Sequence, residues 1–270
     1  MRHVDIGKDQ TLPVRVAMCQ ILCLDGDREG NFVRIEHVLA RAQSAGAHIA
    51  CFPESVVLGW VNPEAHRSAY AIPGADSDRI AELAQRYGLM IAVGMDEKDG
   101  DDLYDSVVLV DSDGRLLARH RKINHIAGIM DPPYASGSIE DIAAVDTRFG
   151  RIGLLICADT FEQPILAAMR SQGPQLVIVP YGWAKEPEFW PRHQEKLRDT
   201  VANAACAIGA PVIGTDLVGE ITHGPWAGRI YGGGSVAADA RGAIVAVGAD
   251  RDVDTVIVEL GVAVSGSRAP

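Results

Sequence analysis

In Arg151-Ile152-Gly153-Leu154-Leu155-Ile156-Cys157-Ala158-Asp159 a short apolar run stops at a thiol, with a carboxylate two residues on. A run of this length reads as a strand buried in a sheet. Strand ends are where α/β folds place ligands and catalytic groups, so the position of Cys157 matters as much as its chemistry. The same boundary recurs twice upstream. Glu54 follows Ile49-Ala50-Cys51-Phe52 and Pro53, and Lys122 follows the run Leu116 to His120. Three polar residues that together make a working cysteine site thus end three predicted strands.

Outward from these points, short apolar runs alternate with helical patterns. Val14 to Ile21 suits a buried strand, and Asn31 to Ala45 has apolar residues at helical spacing, closed by Gly46. Ala47 to Phe52, Leu89 to Met95, Leu103 to Asp111 and Arg115 to His120 read as strands, with a helix over Asp76 to Tyr87. In the second half the expected strands are Ile139 to Asp146, Arg151 to Cys157, Leu176 to Pro180, Pro211 to Thr215, Gly234 to Ala238, Ile244 to Val247 and Asp254 to Leu260. Helices are expected over Gln163 to Ser171 and Pro191 to Ile208. No Pro/Gly/Ser-rich linker divides the series, which predicts one α/β domain over residues 1–270 with a mixed sheet system. A polar leader (1–12) and tail (265–270) are expected to be flexible.

The bulk composition excludes several classes. The 270 residues are 47% hydrophobic, enough for a sizeable core. A net charge of −11 gives no general attraction for nucleic acid or an anionic membrane. No apolar stretch is long enough to span a bilayer. The opening residues lack a signal-peptide apolar region, so a cytoplasmic location is expected. The five cysteines are sparse and odd in number, which suits reduced thiols. No Cys/His pairs stand at zinc spacing, and neither a metal nor a cofactor is expected.

The three strand-end residues have complementary chemistry. A thiol is a weak nucleophile until a base takes its proton or nearby positive charge lowers its pKa. Glu54 can be that base and return the proton to a departing amine. The Lys122 ammonium can stabilise the oxyanion, with the backbone N–H of Ala158 as a second donor. Taken singly, each has a plainer explanation: a small buried apolar residue for Cys157, solvated charges for Glu54 and Lys122.

Taken together, Ala50-Cys51-Phe52-Pro53-Glu54, His120-Arg121-Lys122-Ile123-Asn124 and Gly153 to Asp159 resemble the Glu, Lys and Cys motifs of the carbon–nitrogen hydrolase family, the nitrilase superfamily. Order and separation also match. Weaker similarities at Val16 to Gln20, Leu103 to Ser106, Val201 to Asn203 and Gly233 to Ser235 extend the resemblance over most of the chain. It implies an αββα four-layer sandwich, a homodimer or higher homo-oligomer, and a catalytic set of Glu54, Lys122 and Cys157.

The family commonly carries a second glutamate between the Lys and Cys motifs. The corresponding stretch Met130 to Gly137 has only Asp131, which either substitutes or begins a turn before Pro132 while the lysine is positioned another way. Asp105 and Ala202 stand where Asn and Glu are usual. Ala158 to Phe161 after the cysteine looks like the amidase and carbamoyl-hydrolase branches more than like true nitrilases. The expected substrate is therefore a small amide or N-carbamoyl compound, with Trp60, Tyr134, Tyr181 and Trp183 as pocket walls or, equally, as oligomer contacts. Arg192 or His193 could meet a substrate carboxylate, but the plainer reading makes them solvated helix charges. The competing readings are a non-catalytic paralogue that only binds, and an acyltransferase using the same thioester.

Overall fold

The computed structural model of the chain describes residues 11–190 and 192–263. The first half comprises β1 (Thr11–Gln20), α1 (Arg28–Ser44), β2 (Ile49–Cys51), α2 (Ala65–Ser68), α3 (Ala75–Tyr87), β3 (Met90–Asp99), β4 (Asp102–Val110) and β5 (Leu116–Arg121). The second comprises β6 (Ala144–Thr147), β7 (Gly150–Leu154), α4 (Gln163–Ser171), β8 (Leu176–Pro180), β9 (Ala184–Lys185), α5 (Arg192–Ile208), β10 (Val212–Thr215), β11 (Val218–Glu220), β12 (Ile230–Gly232), β13 (Val236–Ala238), β14 (Ile244–Val247) and β15 (Asp254–Ala263).

Two six-stranded sheets form, in the orders β15-β1-β2-β3-β4-β5 and β14-β13-β10-β8-β7-β6, with a small sheet β11-β12-β9 beside them. The apolar runs are continuous because their strands are covered on both faces. Alternation within the runs assigns the faces. Val14, Val16 and Met18 join Ile49, Cys51, Met90 and Ala92 in one core with the residues of β7, β8 and β10. Ala17, Cys19 and Ile21 turn the other way and pack with Phe32, Ile35 and Leu39 of α1 and Ile80 and Leu83 of α3. Leu166 and Met169 of α4 and Leu197 and Val201 of α5 cover the second sheet. This is the αββα sandwich. Fully burying one such aliphatic side chain contributes roughly 1.5–3 kcal/mol, which makes the double-sided strands the rigid frame of the molecule.

Several boundaries differ from expectation. Thr11 and Leu12 are the first residues of β1, paired with Ala263 and Val262; residues 1–10 and the tail 265–270 lie outside the described residues. The expected strand Ile139 to Asp146 divides into a 3₁₀ turn (Ile139–Asp141) and β6, because Glu140 and Asp141 are exposed and only Ile142 and Ala144 are buried. Pro191, expected to open α5, is likewise outside the described residues. All five cysteines are free thiols, four of them buried and Cys206 exposed. No helix among the described residues is long and apolar enough to cross a membrane.

Candidate active site

Glu54, Lys122 and Cys157 leave the C-terminal ends of β2, β5 and β7 and are all buried. Two of the turns that deliver them are backbone specials: Ser55 has φ 42° and Cys157 φ 38°. Positive φ in a non-glycine residue is costly and clusters at functional sites. Cys157 opens a 3₁₀ turn, Cys157–Phe161, and its own carbonyl accepts the Thr160 hydroxyl at 2.6 Å.

Glu54 is fixed at both oxygens. Oε1 accepts from the Lys122 ammonium, and Oε2 accepts from the Gly182 N–H at 2.6 Å. The turn is also tied through its backbone, with Glu54 N–H donating to the Tyr181 carbonyl at 3.3 Å. Two glycines make this approach possible. A Cβ on Gly94 would lie 2.6 Å from the Glu54 Cα, and one on Gly182 would lie 2.9 Å from the Trp60 ring. Neither contact is sterically tolerable.

Lys122 has a second carboxylate, and it is not Asp131. Asp105 Oδ2 lies 3.3 Å from Lys122 Nζ, and the Lys122 N–H donates to the Asp105 carbonyl at 2.8 Å. Asp131 is exposed, and no hydrogen bond or ion pair joins it to Lys122 among the described residues. The carboxylate beside the ammonium comes instead from the neighbouring strand β4, whose Ser106 is paired in register with Arg121. Ser55 Oγ reaches Asp105 at 3.5 Å and Asp96 at 3.4 Å, and the Tyr134 hydroxyl donates to Asp96 at 2.8 Å. Tyr134 therefore props this buried acidic cluster and does not line the pocket.

The electrostatics follow from burial. Desolvation pushes the Cys157 thiol well above its ordinary pKa; Glu54 adds to this, while Lys122 and the Gly182 N–H oppose it. The resting thiol is thus protonated. Desolvation pulls Lys122 down, but Glu54, Asp105 and Cys157 more than offset it, so the ammonium stays charged. Burial and then Glu54 push Asp105 up against the pull of Lys122.

Asp159 joins the Lys and Cys segments. Its Oδ1 accepts from the N–H groups of Ile123 and Asn124, both at 2.9 Å. Its Oδ2 accepts from Ile156 N–H at 3.0 Å and meets His120 Nε2 at 2.8 Å. Burial opposes its charge, but His120 and the amide donors win and hold the carboxyl below its usual range. Asn124 adds a bond from its Nδ2 to the Ala158 carbonyl at 2.8 Å.

A pocket of about 290 Å³ opens over Cys157. Of the expected walls, Trp60 and Trp183 line it. Tyr181 does not: it is fully buried beneath the turn, its hydroxyl 3.2 Å from Thr160 Oγ1. Trp226, Phe161, Lys185 and Lys196 line the pocket without having been singled out by sequence, and His193 lines it while Arg192 does not. Among the described residues no group of three or more His, Cys, Asp or Glu could hold a metal ion.

Comparison with known proteins places the chain in a family. The bifunctional nitrilase/nitrile hydratase NIT4A of Nicotiana tabacum is 30% identical over 198 residues, covering 66% of this chain and 56% of that enzyme. The chain thus spans little more than half the length of that relative. An aliphatic nitrilase of Sinorhizobium fredii is 25% identical over 90% of this chain and 84% of its own. Among solved structures, the Nesterenkonia AN1 amidase from the nitrilase superfamily superposes with a TM-score of 0.79 at 20% identity, covering 92% of this chain and 90% of that one. The carbon-nitrogen hydrolase family model matches residues 15–268, and with nearly the whole chain so matched, the protein belongs to the carbon–nitrogen hydrolase family, the nitrilase superfamily.

Proposed function

We propose that the chain hydrolyses a non-peptide C–N bond of a small amide or N-carbamoyl compound through a thioester on Cys157. One observation carries this reading: a buried Lys122 ammonium shared by Glu54 and Asp105, close enough to the thiol for each to affect its ionisation. A thiol held protonated beside a carboxylate is set up for proton transfer during attack rather than before it. Cys157 Sγ attacks the carbonyl carbon, its proton passes to Glu54, and the developing oxyanion is met by the Lys122 ammonium. An N–H at the start of a helical turn has no acceptor within that turn, which leaves that of Ala158 as the second donor. Glu54 returns the proton to the departing amine or ammonia. It then takes a proton from water as water attacks the thioester and passes that proton to the leaving Cys157 sulfur, so the acid departs and the resting thiol and carboxylate are restored.

A solved relative supports, by analogy, the nucleophilic character of such a cysteine. In a variant of the Nesterenkonia amidase the acetamide moiety of fluoroacetamide is covalently attached to the active-site cysteine. A homo-oligomer belongs to the same proposal and is checked by light scattering. The decisive test is ammonia release over a panel of small amides and N-carbamoyl compounds, with mass spectrometry for an acyl adduct on Cys157. Cys157→Ala is expected to lose at least about 10³-fold in rate and all adduct; full activity in that variant would end the hydrolase reading. An added amine captured as a new amide would identify an acyltransferase. A Cys157 that iodoacetamide labels no faster than Cys206, without turnover, would identify a binding paralogue.

A further inference from the structure

The pocket over Cys157 reverses the sign of the molecule around it. The chain carries a net charge of −11, yet no Asp or Glu lines this cavity, while Lys185, Lys196 and His193 do. The charged groups occupy one arc, built from β9 and the start of α5. The rest of the wall is largely apolar, with Trp60, Trp226, Phe161 and Ile126 among its residues.

The arc is held in place. The His193 ring stacks on Trp183 with centroids 4.9 Å apart and planes 19° apart, and the Trp183 indole N–H donates to the His193 carbonyl at 2.9 Å. Burial, then Lys185 and Lys196, push the His193 imidazole down to about 4, so it is neutral near pH 7. The positive charge therefore sits on the lysines. Lys185 Nζ is 2.9 Å from Glu186 Oε2, but Glu186 also binds Arg229 at 2.8 Å, so one carboxylate is divided between two cations. Lys196 has no ion pair or hydrogen bond among the described residues.

We propose that the substrate carries a carboxylate at the end remote from the scissile C–N bond, and that Lys196, backed by Lys185, recognises it. This rests on the hydrolase reading above and narrows it. The cavity volume of about 290 Å³ admits a small molecule. Its apolar wall suits the short hydrocarbon between the two polar ends.

The test compares three amides of equal length with the full chain: succinamate (anionic tail), butyramide (neutral) and 4-aminobutanamide (cationic tail). Succinamate is expected to exceed butyramide in kcat/KM by up to about fivefold, the worth of a good charge pair at an exposed lysine. Added salt should narrow that ratio. Lys196→Glu is expected to lower succinamate turnover and raise that of 4-aminobutanamide, a gain that a misfolded variant cannot show. A second arm measures binding of succinamate and butyramide to Cys157→Ala by calorimetry, with and without Lys196→Glu. Equal or reversed preference in either arm, or a preference indifferent to Lys196→Glu, overturns the proposal. Absence of turnover and adduct with all three amides would count against the hydrolase reading, while the binding arm would still decide the carboxylate preference.

Discussion

The sheet β15-β1-β2-β3-β4-β5 and the sheet β6-β7-β8-β10-β13-β14 run through the same series of neighbours: antiparallel, parallel, parallel, antiparallel, antiparallel. Their strand ends nevertheless carry different chemistry. The first sheet supplies the buried ionisable groups Glu54, Asp96, Asp105 and Lys122. The second supplies the thiol, the N–H of Gly182 and the carboxylate of Asp159. Where β2 delivers Glu54, its counterpart β8 delivers Tyr181 and Gly182, and the two turns bond to each other. Neither half holds a working set, so the site exists only once the halves have docked. The costs are also unevenly shared: each half carries a positive-φ turn, at Ser55 and at Cys157, and the first carries the desolvated ionisable cluster as well.

The largest effect is expected from breaking the charge cluster. Lys122→Met leaves Glu54 and Asp105 buried without their cation, and should lower unfolding free energy by about 3–5 kcal/mol and abolish turnover. The double variant Lys122→Met/Glu54→Gln should regain much of that stability and none of the activity, measured by denaturant melts alongside ammonia release. Next comes the joint between halves. Asp159→Asn removes charge-assisted bonds and is expected to cost roughly 1.5–3 kcal/mol, with kcat falling more than KM changes, because the Lys and Cys segments lose register while the pocket walls stay in place.

A smaller effect separates two carboxylates. Asp105→Asn should reduce kcat by about tenfold through a less well-oriented ammonium. Asp131→Ala, at an exposed site, should stay within about 0.5 kcal/mol in stability and leave the rate alone. A loss of rate at Asp131 comparable to that at Asp105 would reverse the placement. The smallest effect concerns pH. His193 titrates near 4 in the fold against 6.5 in its ordinary state, so as pH falls the unfolded chain takes up this proton first. The stability it contributes is complete above 6.5 and is lost as pH falls toward 4. His193→Phe keeps the stack on Trp183 and should flatten the dependence of the unfolding midpoint over that window.

The frame of the molecule was readable because its strands are buried on both faces, which writes them as unbroken apolar runs such as Val14 to Ile21 and Ile152 to Ile156. The strand-end positions of Glu54, Lys122 and Cys157 followed from those same runs. Strands β9, β11 and β12 have two or three residues each, too few for a periodic signal. The partners of Lys122 were harder, because Asp105 reaches it by pairing between strands and not by proximity in sequence. The Leu103-Tyr104-Asp105-Ser106 motif, with Asp where Asn is usual, was the available signal. Tyr134 and Tyr181 were placed on the wall because aromatics after strands often line pockets. Their hydroxyls instead found buried partners in Asp96 and Thr160, and that choice depends on tertiary contacts. Lys196 carries no motif, and its place on the pocket depends on how α5 lies.

The two glycines around Glu54 divide the protein into what can vary and what cannot. A single added methyl group on Gly94 or Gly182 collides with the carboxylate's own backbone or its aromatic neighbour, so the floor admits almost no substitution. Ile126 and Phe161 on the rim are 39% and 43% exposed and constrained by little. Selection acting on such a chain would keep its reaction and exchange its substrate, and a designer seeking a new amide should begin at the rim.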